Sequence, residues 1–127
     1  MKHLFAALVL TGGFAAAQAN AACQYPVAPG KFPDGSLASK EEMLAAKSQV
    51  VKYNTDMDSY LGCIKTEFDT RLAENANAPA DQKAEMQRKQ DEMHNAAVKE
   101  VMEVTERFNE QLRAWKAKNQ PADKKPS

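Results

Sequence analysis

The stretch from Lys40 to Glu74 decides the fold and reads KEEMLAAKSQVVKYNTDMDSYLGCIKTEFDTRLAE. Its apolar residues recur every three or four positions, which is the period of one face of an α-helix. This stripe consists of Met43, Ala46, Val50, Tyr53, Met57, Leu61, Ile64, Phe68 and Leu72. Directly before it, Ser39 and Glu42 match the S-x-x-E capping box that favours a helix N-terminus. The sequence therefore predicts one long helix over about 40–74.

A second stripe of the same period follows a short break. The break spans residues 75–79 and ends in Pro79, a residue favoured at the start of a new helix. The second stripe consists of Met86, Gln90, Met93, Ala97, Val101, Val104, Phe108, Leu112 and Trp115. A loop of about five residues makes two helices antiparallel neighbours, in a register where facing residue numbers sum to about 154. The predicted fold class is all-α, a long antiparallel two-helix hairpin over about 40–74 and 79–118.

Residues 23–38 precede the hairpin and differ from it in composition. Pro26, Pro29 and Pro33 exclude a helix and favour an extended, polyproline-like path. At about 3.1 Å per residue, this segment is long enough to run back along the first helix as far as Cys63. We expect an extended Pro-rich strap that covers the open groove of the hairpin. The apolar strap residues Tyr25, Val27, Phe32 and Leu37 would then pack on Leu44, Val51, Val98 and Met102.

The first 22 residues have the pattern of a secretory signal peptide. Lys2 supplies the charge, an apolar run begins at Leu4, and small Ala-rich residues continue to Ala22. The apolar run is shorter than the stretch of about 20 residues that a spanning helix needs. We expect residues 1–22 to be removed on export to the bacterial periplasm or beyond, leaving no integral membrane segment. The predicted organisation is completed by the strap at 23–38, the helical hairpin at 39–118 and a disordered basic tail at 119–127.

The chain has two cysteines, Cys23 and Cys63. In an oxidising compartment two thiols most simply form one disulfide, and the chain has no CxxC spacing that would favour a redox or metal pair. Lipidation of Cys23 is the less favoured alternative, because Asn20 stands where lipoproteins usually carry a large aliphatic residue.

Gly62 has two open interpretations, as the place where another backbone approaches or as a weak point in the helix.

Charge and composition exclude several classes of function. The chain carries 17 Lys+Arg and 17 Asp+Glu, a formal net charge of zero, which argues against a nucleic-acid binder. Its five glycines leave little room for a Gly-rich phosphate loop. A general acid–base pair needs a cleft, and a two-helix hairpin offers none of useful volume. We therefore expect a protein that is not an enzyme and holds no cofactor.

Four motifs together resemble a known group of proteins. They are Cys23-Gln24-Tyr25-Pro26, Pro33-Asp34-Gly35, Ser39 with Glu42-Met43, and the stretch YNTDMDSYLGC from Tyr53 to Cys63. The combination resembles a group of small exported, periplasmic proteins of proteobacteria whose function is unknown. The resemblance covers residues 23 to about 112 of this sequence. It implies export and a two-cysteine design, and it transfers no catalytic residue to this chain.

Two sets of side chains are candidate functional residues. Tyr53 and Tyr60 lie two turns apart on the first helix, where they either close the edge of the core or form an interaction surface for a partner. A second set offers thioether and imidazole ligands that suit Cu(I), although methionine at this spacing is more often core filler. That set consists of Met86, Met93, His94 and Met102.

The leading function hypothesis is a non-enzymatic protein-interaction or structural role in the cell envelope. The partner is either an unknown protein or a second copy, since two helices that each bury one stripe can dimerise into a four-helix arrangement. Periplasmic copper binding through His94 and the methionine cluster is the alternative.

Overall fold

A computed structural model of the protein describes residues 22–120. Two helices, α1 (Lys40–Glu74) and α2 (Ala80–Lys118), pack against each other and are joined by a turn. No strand occurs in the described part of the chain. The predicted all-α hairpin is therefore confirmed, and its helix bounds differ from the prediction by one residue. The predicted signal peptide lies outside the described residues except for Ala22, as does the predicted tail beyond Gln120.

Local hydrogen bonds determine where the helices begin and end. The Ser39 side chain accepts a hydrogen bond from the Glu42 amide at 3.1 Å, and the Glu42 carboxylate accepts one from the Ser39 amide at 2.7 Å. The predicted capping box is thus present at the start of α1. At its end, the Asn75 amide donates to the Arg71 carbonyl at 3.0 Å. Pro79 occupies the N-cap position of α2, so that helix begins at Ala80, one residue later than predicted.

The segment before α1 reverses direction just before the helix starts. Residues 35–37 form a turn in which the Asp34 carbonyl accepts hydrogen bonds from the amides of Leu37 and Ala38 at 3.0 and 2.8 Å. The Asp34 carboxylate accepts a further hydrogen bond from the Ser36 amide at 2.9 Å. Residues 23–34 then run antiparallel to α1 without regular secondary structure. We call residues 23–38 the strap.

The buried core lies in the half of the hairpin that the strap covers. It consists of Ala38, Met43, Ala46, Val50, Tyr53, Met57, Tyr60, Ile64, Ala97, Val104 and Phe108. Residues 65–96, all of them described, include no buried residue. Two helices alone enclose only the stripe between them. The strap therefore supplies the third layer that full burial requires.

The strap does not pack where the sequence predicted. Its four predicted acceptor residues are 37% to 66% exposed, so that prediction is wrong. They are Leu44, Val51, Val98 and Met102. Three of the four strap residues expected to be covered are also exposed: Tyr25 at 42%, Val27 at 92% and Leu37 at 78%. The physical reason is that the strap lies on the other flank of the hairpin, where polar and aromatic side chains bind it.

Candidate functional site: the strap interface

The strap is fastened to α1 by its first residue. Cys23 and Cys63 lie at disulfide-bonding distance, with their Cα atoms 5.7 Å apart. This distance confirms the predicted pairing of Cys23 with Cys63 as far as the positions of the two residues are concerned. A carboxylate oxygen of Glu67 lies within 4.8 Å of both sulfur atoms, and all three residues are half-buried. Sequence analysis missed Glu67, although its position four residues after Cys63 places both side chains on the same face of α1.

The three tyrosines of the chain lie close together, and two of them, Tyr25 and Tyr53, lie beside the carboxylate of Glu100. The Tyr25 hydroxyl donates to Glu100 Oε2 at 2.5 Å, which ties the strap to α2. The Tyr25 ring packs edge-on against Tyr60 of α1, with ring centroids 4.9 Å apart. Tyr53 and Tyr60 are only 2% and 7% exposed. Of the two interpretations of these residues, the one that fits the structure is that they close the edge of the core. The interpretation as a surface for a partner is wrong, because the strap covers them.

Burial and the charge of Glu100 alter the acidity of these tyrosines. Burial, followed by the negative charge of Glu100, raises the pKa of Tyr53 to about 12. Burial and the hydrogen bond to Glu100 raise the pKa of Tyr25, while burial and the charge of Glu67 raise that of Tyr60. The Tyr53 hydroxyl oxygen is itself buried without a hydrogen-bond partner among the described residues. All three hydroxyls therefore keep their protons at neutral pH.

Arg107 of α2 holds the middle of the strap. Its guanidinium donates hydrogen bonds to the carbonyls of Gly30 at 2.9 Å and Pro29 at 3.1 Å. It also lies over the Phe32 ring, 5.6 Å from the centroid. Phe32 in turn packs edge-on against Phe108, with centroids 5.6 Å apart. A strap outside any sheet has free carbonyls, and the fork of guanidinium donors satisfies two of them at once.

A close backbone approach, which was one of two interpretations of Gly62, occurs at Gly35 instead. A Cβ atom added to Gly35 would lie 1.8 Å from the Gln111 carbonyl oxygen, whereas one added to Gly62 would meet nothing within 4 Å. The Gly35 amide donates to the Gln111 side chain at 2.9 Å, which fixes the strap's turn on α2. Of the two interpretations of Gly62, the weak point in the helix is the one that fits the structure.

The side of the hairpin away from the strap carries four exposed apolar residues of the two helices. Nine helical positions correspond to about two and a half turns and place two residues on opposite sides of a helix. Each of these exposed residues lies nine positions before a residue that the strap covers or binds. It therefore faces the opposite side of the helix. The pairs are Leu44 with Tyr53, Val51 with Tyr60, Val98 with Arg107, and Met102 with Gln111. We call Leu44, Val51, Val98 and Met102 the strap-free face.

A shallow groove of about 720 Å³ follows the strap-free face along α2. Its lining comes from α2 alone and consists of Asn95, Val98, Lys99, Val101, Met102, Glu103, Thr105 and Glu106. A second, smaller groove of about 130 Å³ lies between the helices near the turn. Phe68 and Met86 both line it, as the predicted register requires.

The proposed copper ligands do not come together. Met86 and Met93 line the small groove near the turn, whereas Met102 lines the groove of the strap-free face. His94 is exposed and lines neither groove. Eight residues separate it from Met86 on one side and from Met102 on the other, about 12 Å along the helix axis in each case. A single ion cannot bridge these distances, so the hypothesis of one copper site formed by all four residues is wrong.

Comparisons of the chain with protein-family models, with curated proteins and with solved structures found no match. Neither described helix is apolar enough over a sufficient length to cross a membrane.

Proposed function

We propose that this protein is exported to the bacterial cell envelope, where it has a non-enzymatic protein-interaction role and binds a second copy of itself through the strap-free face. The cysteine pair at disulfide-bonding distance fits an oxidising, exported environment. The signal-peptide pattern of residues 1–22 and the resemblance to small exported proteobacterial proteins support the same location.

The observation that carries the proposal is the exposure of Leu44, Val51, Val98 and Met102 on one side of a hairpin. The opposite flank is already occupied by the strap, so only this side is free to pack against another helical pair. Two such hairpins in contact give a four-helix arrangement in which each strap-free face is buried. The role is proposed as non-enzymatic because the groove there is lined by a single helix, whereas catalytic clefts bring together polar groups from several elements.

Charge complementarity favours a second copy as the occupant. Lys99 and Glu106 line the same groove, on either side of Met102 along α2. Within one chain, Lys99 forms an exposed ion pair with Glu103 at 3.6 Å and Glu106 forms one with Arg113 at 2.8 Å, so contacts to a second copy would add to these pairs or replace them. A two-fold axis beside Met102 pairs α2 with its copy in antiparallel orientation, which brings Lys99 of each copy near Glu106 of the other. An isologous interface of this kind needs such a self-complementary patch. These ion pairs between the two copies would be exposed to solvent. They would therefore determine the orientation of the two copies more than the affinity between them.

The test is the oligomeric state of the purified protein with its disulfide formed, measured by sedimentation equilibrium. We expect a concentration-dependent dimer that Val51→Lys or Met102→Lys converts to a monomer. Val27→Lys is the matched control, because Val27 is an exposed valine on the strap, on the other flank. A wild-type protein that stays monomeric at all concentrations would contradict the proposal, as would a Val27→Lys variant that dissociates to the same extent.

A further inference from the structure

The Cys23 and Cys63 sulfurs and a Glu67 oxygen form a set of three potential metal ligands within 4.8 Å of one another. Cys63 and Glu67 are one helical turn apart on α1 and share a face. Cys23 reaches them from the strap. All three residues are half-buried, so the set is shielded from solvent on part of its surface. Two thiolates and a carboxylate are donors that Zn²⁺ takes in proteins.

The backbone positions also suit a metal ion. Zinc–sulfur bonds of about 2.3 Å in tetrahedral geometry hold two sulfur atoms about 3.8 Å apart. The Cα atoms of the two cysteines are 5.7 Å apart, so once the sulfur–sulfur bond is absent, side-chain rotation alone can open this space. Glu67 is already adjacent and needs no movement of α1.

The strap would remain docked when the cysteines are thiols. Tyr25 bonds to Glu100, and Arg107 bonds to the carbonyls of Pro29 and Gly30, both independently of the disulfide. These contacts hold Cys23 near Cys63 in the dithiol protein. The ligand set is therefore organised in advance of any ion.

We propose that the dithiol form of this protein binds one thiophilic divalent ion, with Zn²⁺ as the reference case, through Cys23, Cys63 and Glu67. A dithiol reductant supplies two electrons and two protons to the Cys23–Cys63 disulfide and itself becomes a disulfide. The ion then displaces the two thiol protons to solvent and binds both thiolates and the Glu67 carboxylate, with water in the fourth position. The ion takes the place of the disulfide as the link between strap and α1. This site is independent of the strap-free face and of self-association.

The experiment titrates the reduced protein with a metal. The purified chain is reduced with a dithiol, separated from it by anaerobic gel filtration, and titrated with Co²⁺ as a spectroscopic probe before Zn²⁺ displaces it. We expect one equivalent of Co²⁺ to bind with the thiolate charge-transfer and tetrahedral ligand-field bands. The oxidised protein should show neither band, because a disulfide offers no thiolate.

Two variants test the role of the carboxylate. Glu67→Gln should weaken Zn²⁺ binding by at least about tenfold, since that is the loss when a group that only orients a metal ligand is removed, and Glu67 is proposed as a ligand itself. Arg71→Gln is the matched control, since it breaks the same Glu67–Arg71 ion pair, which measures 3.1 Å, but keeps the carboxylate. It should bind Zn²⁺ at least as tightly as the wild type. The proposal is overturned if the reduced wild type shows no thiolate bands, or if Glu67→Gln binds Zn²⁺ as tightly as Arg71→Gln.

Discussion

Gly35 is the residue that sets the distance between the strap and α2. The atoms that a side chain there would strike belong to the backbone of α2, namely the carbonyl of Gln111 and the amide nitrogen of Trp115, at 1.8 and 2.9 Å. Backbone atoms inside a helix cannot rotate away as a side chain can. The strap would therefore have to lift from α2 to accommodate even one methyl group.

Alanine substitutions at the two glycines should have opposite effects. Gly35→Ala should lower the free energy of unfolding by about 1–3 kcal/mol, the usual cost of overpacking. Gly62→Ala should raise it by about 0.5–1 kcal/mol, because the position is helical and a Cβ there meets no neighbour within 4 Å. Urea denaturation of both variants measures the two changes. A Gly35→Ala protein as stable as the wild type would contradict the close approach seen here.

The tyrosine cluster should make the protein sensitive to alkaline pH. The pKa of Tyr53 is about 12 in the folded protein against an ordinary 10.0. A folded pKa above the unfolded one means that this contribution to stability is complete below pH 10.0. It is lost as pH rises through about 12.

Replacing Glu100 by a neutral residue separates the effect of its charge on the tyrosine pKa values from the effect of burial. Glu100→Gln should lower the pKa of Tyr25 and Tyr53. It should leave the pKa of Tyr60 unchanged, because that pKa depends on burial and on the charge of Glu67. Ultraviolet absorbance of tyrosinate during an alkaline titration measures this. Glu103→Gln on the exposed side of α2 is the control and should titrate like the wild type. Equal titration curves for the two variants would show that Glu100 does not act on the tyrosines.

At the scale of elements, the two helices followed from the sequence and the position of the strap did not. A stripe of period 3.6 with a capping box and a Pro-containing break determines a helix and its ends locally. The strap could follow either flank of the hairpin, and apolar patterning favoured the flank with Val51 and Met102. The structure places it on the flank with Glu100, Arg107 and Gln111, where its carbonyls and one amide find partners. Patterning marks such polar residues as solvent-facing, so it could not identify them as the strap's binding site.

Arg107 should therefore contribute more to stability than an ordinary surface arginine. Arg107→Ala removes two hydrogen bonds to strap carbonyls and a cation–π contact, and should cost about 1–2 kcal/mol. It should also accelerate hydrogen exchange at the Gly35 amide, which bonds to Gln111.

Arg113 provides the comparison for that substitution, since it lies on the same helix and makes an exposed ion pair with Glu106 at 2.8 Å. Arg113→Ala should cost no more than about 0.5 kcal/mol and leave exchange at Gly35 unchanged. If both variants lose the same stability and exchange alike, Arg107 does not hold the strap.

On the scale of the whole molecule, the fold divides into a three-layer half and a two-layer half. All fully buried side chains of the described chain lie in the half where the strap covers the hairpin. The sequence indicated the strap, the cysteine pair and the hairpin, yet it placed the candidate interaction surface on Tyr53 and Tyr60. Helical periodicity identifies a buried stripe, but it does not show which edge of that stripe a third layer will cover.

Loss of the disulfide should weaken the whole fold without removing its helices. The two cysteines are 40 residues apart, and opening a loop of that length should cost about 3–4 kcal/mol in the chain-entropy model. Thermal unfolding of the Cys23→Ser/Cys63→Ser double variant, followed by circular dichroism, should show native helix content and a lower midpoint. Chemical reduction of the wild type in the absence of metal should give the same shift. Equal midpoints for the double variant and the oxidised wild type would contradict a stabilising disulfide.

The contacts between strap and α2 also bear on the order in which the chain assembles. They join residues 75 to 78 positions apart, whereas the hairpin can zip from its turn through pairs that are close in sequence. Pairings distant in sequence form late, because they close the longest loops. The helices would therefore form a template first, and the strap would dock on it afterwards. Cys23 and Cys63 are only 40 residues apart, so their disulfide closes a shorter loop than the contacts between the strap and α2. Once formed, it shortens the loops that those later contacts must close.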